Sequence, residues 1–299
     1  MNGVLILDKP AGMTSHDVVN RVRRILHERS VGHLGTLDPM ATGVLPLVVG
    51  SFTRLAQFYT QAEKTYEGTI RFGFATDTYD AEGEATTEPK QVVLDPAEVE
   101  FHAASFRGVM EQMPPPFSAK KIRGIPAYKL ARKHKDVVLK AVQVEIKEFE
   151  ILGVETDRAR FRARVASGTY LRSLAHDMGL RLGCGAHLDL LRRTAVAEFT
   201  IDSALTLDQL GVRAGAGQDF FVHPRKLLPQ IPSVTTDEAN AARIRSGRPV
   251  NLPELSRARQ VKVFYGQSEL IAIATRVAGT LFHANLVFSG ERASIVRQS

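Results

Sequence analysis

The segment Arg158-Ala-Arg-Phe-Arg-Ala-Arg-Val165 limits the fold more than any other stretch of the chain. Charged and apolar residues alternate with a period of two, which fits a β-strand with one buried face. Ala159, Phe161, Ala163 and Val165 face a core, and Arg158, Arg160, Arg162 and Arg164 stand in line on the opposite face. Four guanidiniums in a row repel one another unless anions lie opposite. Acids on a neighbouring strand, such as Glu148 and Glu150, are one answer, and a phosphate backbone is the other.

A half-buried strand needs partners, and the pattern supplies them. Val4 to Leu7 is a short apolar run stopped by Lys9-Pro-Ala-Gly12, residues 66–74 alternate, and residues 142–154 read as a further strand. A helix is expected over Asp17 to Leu26, capped by Thr14 or Ser15, because Val18, Val22, Ile25 and Leu26 recur at helical spacing. Asp95-Pro96 marks another helix start, and Tyr170 to Leu182 reads as a helix closed by Gly183. Gly211 to Gly217 reads as flexible, and Pro224, Pro229 and Pro232 break the chain after it. A helix over 236–245 and strands over 261–265, 269–274 and 281–288 then follow. The expected fold is α/β of the α+β type: a mixed, mostly antiparallel sheet in residues 1–228 and a small β-rich module in 229–299.

Composition removes several chemistries. The 299 residues hold one cysteine, Cys184, which excludes an internal disulfide and a Cys-based zinc site. The nine histidines form no His-x-x-x-His pair, so no metal is expected. The longest apolar run, Val44 to Val49, is six residues, far short of the about 20 that span a bilayer. Without a secretory leader the chain is expected in the cytoplasm. Lys and Arg number 39 against 32 Asp and Glu, a formal charge of +7 that is unevenly placed. Residues 118–140 carry eight basic side chains against Asp136, and Arg21, Arg23 and Arg24 lie on the polar face of the first helix. Residues 77–100 hold eight acids and only Lys90, a solvated acidic flank.

His33-Leu-Gly-Thr-Leu-Asp-Pro-Met-Ala-Thr-Gly-Val-Leu45 has the properties of a loop that holds a carboxylate at its tip. Pro39 pushes Asp38 away from helical backbone, and Gly35 and Gly43 bracket it with permissive dihedrals. Standing alone, an Asp-Pro turn implies no chemistry.

It does not stand alone. The loop resembles motif II of the pseudouridine synthases, most specifically of the TruB-type tRNA pseudouridine-55 synthases. Five further segments, in order, resemble the same family: Lys9-Pro-Ala-Gly-Met-Thr-Ser15; Lys64-Thr-Tyr66 with Thr76-Asp-Thr-Tyr-Asp80; Pro114 to Lys121 with Ala127-Tyr128 and Ala131-Arg132; Ser167 to Leu174; and Gly185-Ala-His187 through Leu191-Arg-Arg-Thr194. Lys120 and Phe117 depart from the usual residues, outside the catalytic set.

The resemblance implies an isomerase that breaks the C1′–N1 bond of uridine 55 in the tRNA T loop, turns the base and rejoins it through C5. It implies Asp38 as nucleophile, ionised at neutral pH from an ordinary pKa of about 3.9. Arg172 is expected to pair with that aspartate. Tyr66 stacks on the uracil and is the candidate C5 proton acceptor, and Leu191 walls the base. His33 fills the stack left by the extruded uridine. Asp80 organises its turn or contacts substrate, and Tyr170, Lys121 and Arg132 bind substrate. Residues 118–140 read as an RNA-clamping insertion. The C-terminal module resembles the PUA-like RNA-binding domain shared by pseudouridine synthases and archaeosine transglycosylases. The expected partner is the tRNA T stem-loop, bound by a monomer without cofactor, metal or membrane. The rivals are the same chemistry on another RNA and a non-catalytic tRNA-folding chaperone.

Overall fold

The computed structural model describes residues 1–117, 121–122, 125–126, 140–253 and 257–288. The 118–140 insertion therefore lies almost wholly outside the described residues, and with it Arg132 and the side chain of Lys121. The chain opens with β1 (Gly3–Lys9), α1 (Ser15–Leu26), β2 (Val31–His33), β3 (Thr42–Val49) and β4 (Lys64–Phe72). There follow α2 (Pro96–Ala104), β5 (Gly108–Gln112), β6 (Lys121–Ile122), β7 (Ile125–Pro126), β8 (Val142–Glu155) and β9 (Arg158–Val165). Next come α3 (Leu171–Arg181), β10 (Ala186–Val196), β11 (Phe199–Thr200), α4 (Leu207–Gly215), β12 (Ser233–Thr236) and α5 (Glu238–Arg245). The last strands are β13 (Val250–Asn251), β14 (Gln260–Tyr265), β15 (Glu269–Ala278) and β16 (Leu281–Val287). The architecture is mixed α/β.

Two compact units are each assembled from separated stretches. One comprises Met1–Asp38, Val44–Thr60 and Glu198–Ser299; the other comprises Pro39–Gly43 and Gln61–Ala197. In the second unit the antiparallel order is β10-β4-β9-β8-β5. Thr42 and Gly43 add a parallel pairing with Arg192 and Arg193, which makes the sheet mixed. The period-two reading of β9 holds: Ala159, Phe161, Ala163 and Val165 are buried. Phe161 meets Phe149 of β8 edge-on at 5.5 Å, and Phe149 meets Phe106 at 6.3 Å. Each buried Phe contributes about 1.5–3 kcal/mol.

The arginine face is answered by acids. Arg162 pairs with Glu67 at 2.8 Å, Arg164 with Glu148 at 2.5 Å and Glu63 at 3.4 Å, and Arg158 with Asp157 at 2.9 Å and Asp189 at 3.1 Å. Three of the four guanidiniums thus have acidic partners, with Glu67 and Glu148 supplied by the two flanking strands.

In the first unit α1 begins with a capping box, Thr14 and Asp17 bonding each other's backbone, so Thr14 is the cap and Ser15 turns inward. The Gly211–Gly217 stretch departs from expectation, since residues up to Gly215 are helical in α4. Thr206 and Gln209 form a second capping box and Leu210 is fully buried, which outweighs the cost of Gly211, about 0.5–1 kcal/mol. The C-terminal strands form a sheet in the order β12-β14-β15-β16-β13, over a core including Val234, Ile244, Val261, Ile271 and Phe282. No helix among the described residues is long and apolar enough to cross a membrane.

Exposed ion pairs of this kind contribute about 0–1 kcal/mol. Arg162→Gln should therefore lower stability by less than about 1 kcal/mol in urea melts. It should also leave the salt dependence of RNA binding unchanged; a slope reduced by about one unit would mark Arg162 as a phosphate contact.

Candidate active site

β2 and β3 form an antiparallel pair, with Val31 opposite Val49 and His33 opposite Leu47, and the Asp38 loop connects them. Leu34 donates its N–H to Pro46 at 2.9 Å, which narrows the loop's base. Gly35 and Gly43 take φ of 119° and 102°, as the bracketing required. A Cβ on Gly43 would lie 2.2 Å from the Arg193 carbonyl, so no other residue fits there. Just before Asp38, buried Ser15 grips the chain at two points: its Oγ accepts from Leu37 N at 2.8 Å and donates to Leu37 O at 3.1 Å. Asp38 and His33 are both half-buried.

In the second unit, β4 and β10 share a face. Tyr66 is opposite Arg193 and Leu191 is opposite Gly68, so Tyr66 and Leu191 are diagonal neighbours on one side of the sheet. Both side chains are nearly buried, Tyr66 at 7% exposure and Leu191 at 9%. A Cβ on Gly68 would lie 2.6 Å from the Leu190 carbonyl and 2.7 Å from the Phe161 ring, so glycine keeps this face tightly packed. Lys64 precedes Tyr66 by two residues, and its ammonium donates to Ala62 O at 2.8 Å. Burial, with the nearby Arg193 charge, lowers its pKa to about 8.

Arg172 stands in the first turn of α3, 6% exposed. Its guanidinium donates to Thr78 O and to Phe117 O, each at 3.0 Å, and pairs with Asp80 Oδ2 at 3.5 Å. Asp80 is itself buried, which corrects the reading of residues 77–100 as uniformly solvated. Its Oδ1 accepts from Thr78 Oγ1 at 2.6 Å and Glu82 N at 3.1 Å, so it both organises its turn and meets the cation. Tyr170 is the backbone cap of α3. The buried amide of Gln112 closes it, accepting from Tyr170 N at 2.8 Å and donating to Tyr170 O at 3.0 Å.

Sequence reasoning missed Gln112, Tyr79 and His176. His176 follows Arg172 by four residues, the spacing that places two side chains on one helical face. Tyr79 lies inside the Thr76–Asp80 motif at φ +64°, a left-handed conformation costing about 1–2 kcal/mol for a non-glycine residue. Among the described residues no group of three or more His, Cys, Asp and Glu could hold a metal ion.

Comparison with known proteins identifies the family. Residues 23–171 match the model of the TruB family pseudouridylate synthase, N-terminal domain, and residues 172–216 match the tRNA pseudouridylate synthase B C-terminal domain. The chain is 50% identical over 293 residues to a tRNA pseudouridine synthase B of Solibacter usitatus, covering 96% of this chain and 100% of that relative. It is 42% identical over 282 residues to one of Streptococcus thermophilus, covering 92% and 96%. A chain from the crystal structure of a Cbf5–Nop10–Gar1 complex superposes with a TM-score of 0.69 at 26% identity, covering 96% of this chain and 85% of that one. These matches define an isomerase of the pseudouridine synthase class. Within that class the chain belongs to the TruB family.

Two outcomes test the local chemistry. Ser15→Ala removes both bonds to Leu37 and strands a buried N–H, so stability should fall by about 1–3 kcal/mol in denaturant melts, with Ser15→Thr closer to native. His187 is buried, with Nδ1 3.1 Å from Phe74 O. Burial pushes its pKa down, only partly opposed by that hydrogen bond. Its neutral form therefore belongs to the fold: the stability it contributes is complete above the unfolded value of about 6.5 and is lost as pH falls through the folded one. Melting temperature should drop as pH falls below about 6.5, and less steeply in His187→Asn.

Proposed function

We propose that this enzyme isomerises uridine 55 in the T stem-loop of tRNA to pseudouridine, acting as a monomer in the cytoplasm. The observation that carries the reading is the Asp38 loop: a complete family motif whose two glycines take the unusual dihedrals and whose Leu37 is gripped by Ser15. Relatives that share 42–50% identity over nearly their full length are named tRNA pseudouridine synthase B.

Asp38 supplies the nucleophile at the sugar–base junction. Tyr66 stacks on the uracil and receives the C5 proton, and Leu191 forms the apolar wall beside it. Such a pocket excludes water, which strengthens the electrostatics on which the glycosidic step depends. Arg172, oriented by Asp80, supplies positive charge, and Tyr170 contacts the nucleotide. His33 occupies the stack vacated by the flipped base, which offsets part of an extrusion cost on the order of a few kcal/mol. Lys121 and Arg132 belong to the RNA-clamping insertion at 118–140, and residues 229–299 form a PUA-like RNA-binding module. The C1′–N1 bond breaks and a C1′–C5 bond forms, the C5 proton is lost to solvent and N1 takes up another, so the composition of the base is unchanged and no oxidant or reductant is needed.

The test is tritium release from C5-labelled uridine in an unmodified tRNA transcript. Native enzyme should release about one equivalent at position 55 and Asp38→Ala none above background. Release undiminished in Asp38→Ala would remove the nucleophile assignment, and release from other positions would remove the site assignment.

A further inference from the structure

Arg172 and Asp80 come from different elements, α3 and the 76–80 turn, so their pairing depends on what fixes that turn. We propose that Tyr79 and His176 form a positioning pair that directs the Asp80 carboxylate at Arg172. The inference rests on the reading that Arg172 and Asp80 serve the isomerisation.

The two rings stack with centroids 3.8 Å apart and planes 8° from parallel. Backbone on each side of the Tyr79 ring is already committed. Thr78 O accepts from Arg172, Tyr79 O accepts from Leu188 N at 3.0 Å, and Ala81 N donates to Leu188 O at 3.0 Å. The left-handed φ at Tyr79 reverses the chain between these anchors and returns the Asp80 carboxylate to Thr78 Oγ1. An unfavourable dihedral persists only where its surroundings over-determine it. The flat face of His176 supplies that restraint, and it comes from the same helical face that carries the cation. One rigid element thus holds both the guanidinium and the clamp on its counter-ion.

His176 is suited to this use and to no evident polar one. Its Nδ1 is buried without a hydrogen-bond partner among the described residues. Burial pushes its pKa down, so the ring is neutral at pH 7 and adds no second cation near Arg172. Asp177, the next residue along α3, is likewise pushed toward its neutral form by burial.

The experiment measures single-turnover pseudouridine formation and tRNA affinity, at equal concentrations of binding-competent enzyme. His176→Leu keeps the volume and removes the flat face. It should slow turnover about ten- to hundred-fold, with tRNA Kd changed less than about two-fold. His176→Phe restores a stacking ring and should recover most of the rate. Tyr79→Gly relieves the dihedral but loses the clamp, and should be slow as well. A native rate in His176→Leu or in Tyr79→Gly, a Phe variant as slow as the Leu variant, or a loss confined to Kd would each overturn the proposal. Asp80→Asn separates the two levels. A native rate there removes the underlying reading, whereas a slow Asp80→Asn beside a native His176→Leu removes the positioning pair alone.

Discussion

A buried guanidinium governs the second unit. Taking a charge out of water costs several kcal/mol unless partners replace the lost hydration, and removing one partner of such a pair typically costs about 3–5 kcal/mol. The partners of Arg172 include the Asp80 carboxylate and the carbonyls of Thr78 and Phe117. Bringing them together constrains much of the local chain. The 76–80 turn must leave the acidic stretch and dock beside α3. The segment after β5 must pass close enough for Phe117 O to accept and for Met113 O to receive Ser173 Oγ at 2.7 Å. Helix α3 must also lie hard against β10, which Gly179 permits, since a Cβ there would fall 2.1 Å from Ala186 N.

Gln112 shows how the same demand spreads to the backbone. A helix start leaves N–H groups unsatisfied, and Tyr170 offers no side-chain cap. The Gln112 amide, 1% exposed, answers both the N–H and the carbonyl of Tyr170 from the end of β5. The registers of β5 and α3 are thereby coupled through one side chain. A slip of one residue in β5 would turn that amide to the other side of the sheet and leave the cap open.

What sequence revealed and what it hid divide along the same physical line. Local pattern made the β9 alternation, the α1 cap region and the Asp38 loop legible, because period, capping chemistry and glycine placement are properties of short segments. The burial of Asp80 was not legible. Eight acids in a row of 24 residues look solvated, and only the tertiary approach of Arg172 singles one out. Helix α4 was hidden for the converse reason: its glycines suggest freedom, while the Thr206–Gln209 capping box and buried Leu210 that overrule them precede the glycine-rich stretch. Tyr79, His176 and Gln112 were not legible, although Tyr79 lies inside the Thr76–Asp80 motif, because each meets its partner from another element.

The distribution of charge also has a different physical meaning once partners are visible. A sheet arginine that already holds a carboxylate must surrender it to bind a phosphate, so the exchange gains little and releases few counterions. That applies to Arg158, Arg162 and Arg164 on β9. Helix α1 differs. Arg23 donates to Asn20 Oδ1 and Val31 O, Arg24 donates to Asn20 O, and none of Arg21, Arg23 and Arg24 has a carboxylate partner among the described residues. Their counterions are mobile ions rather than fixed acids, and mobile ions are what a polyanion displaces. Among the described residues, the α1 arginines therefore carry charge that no carboxylate beside them neutralises, and Arg158, Arg162 and Arg164 of the most regular row contribute to the sheet instead.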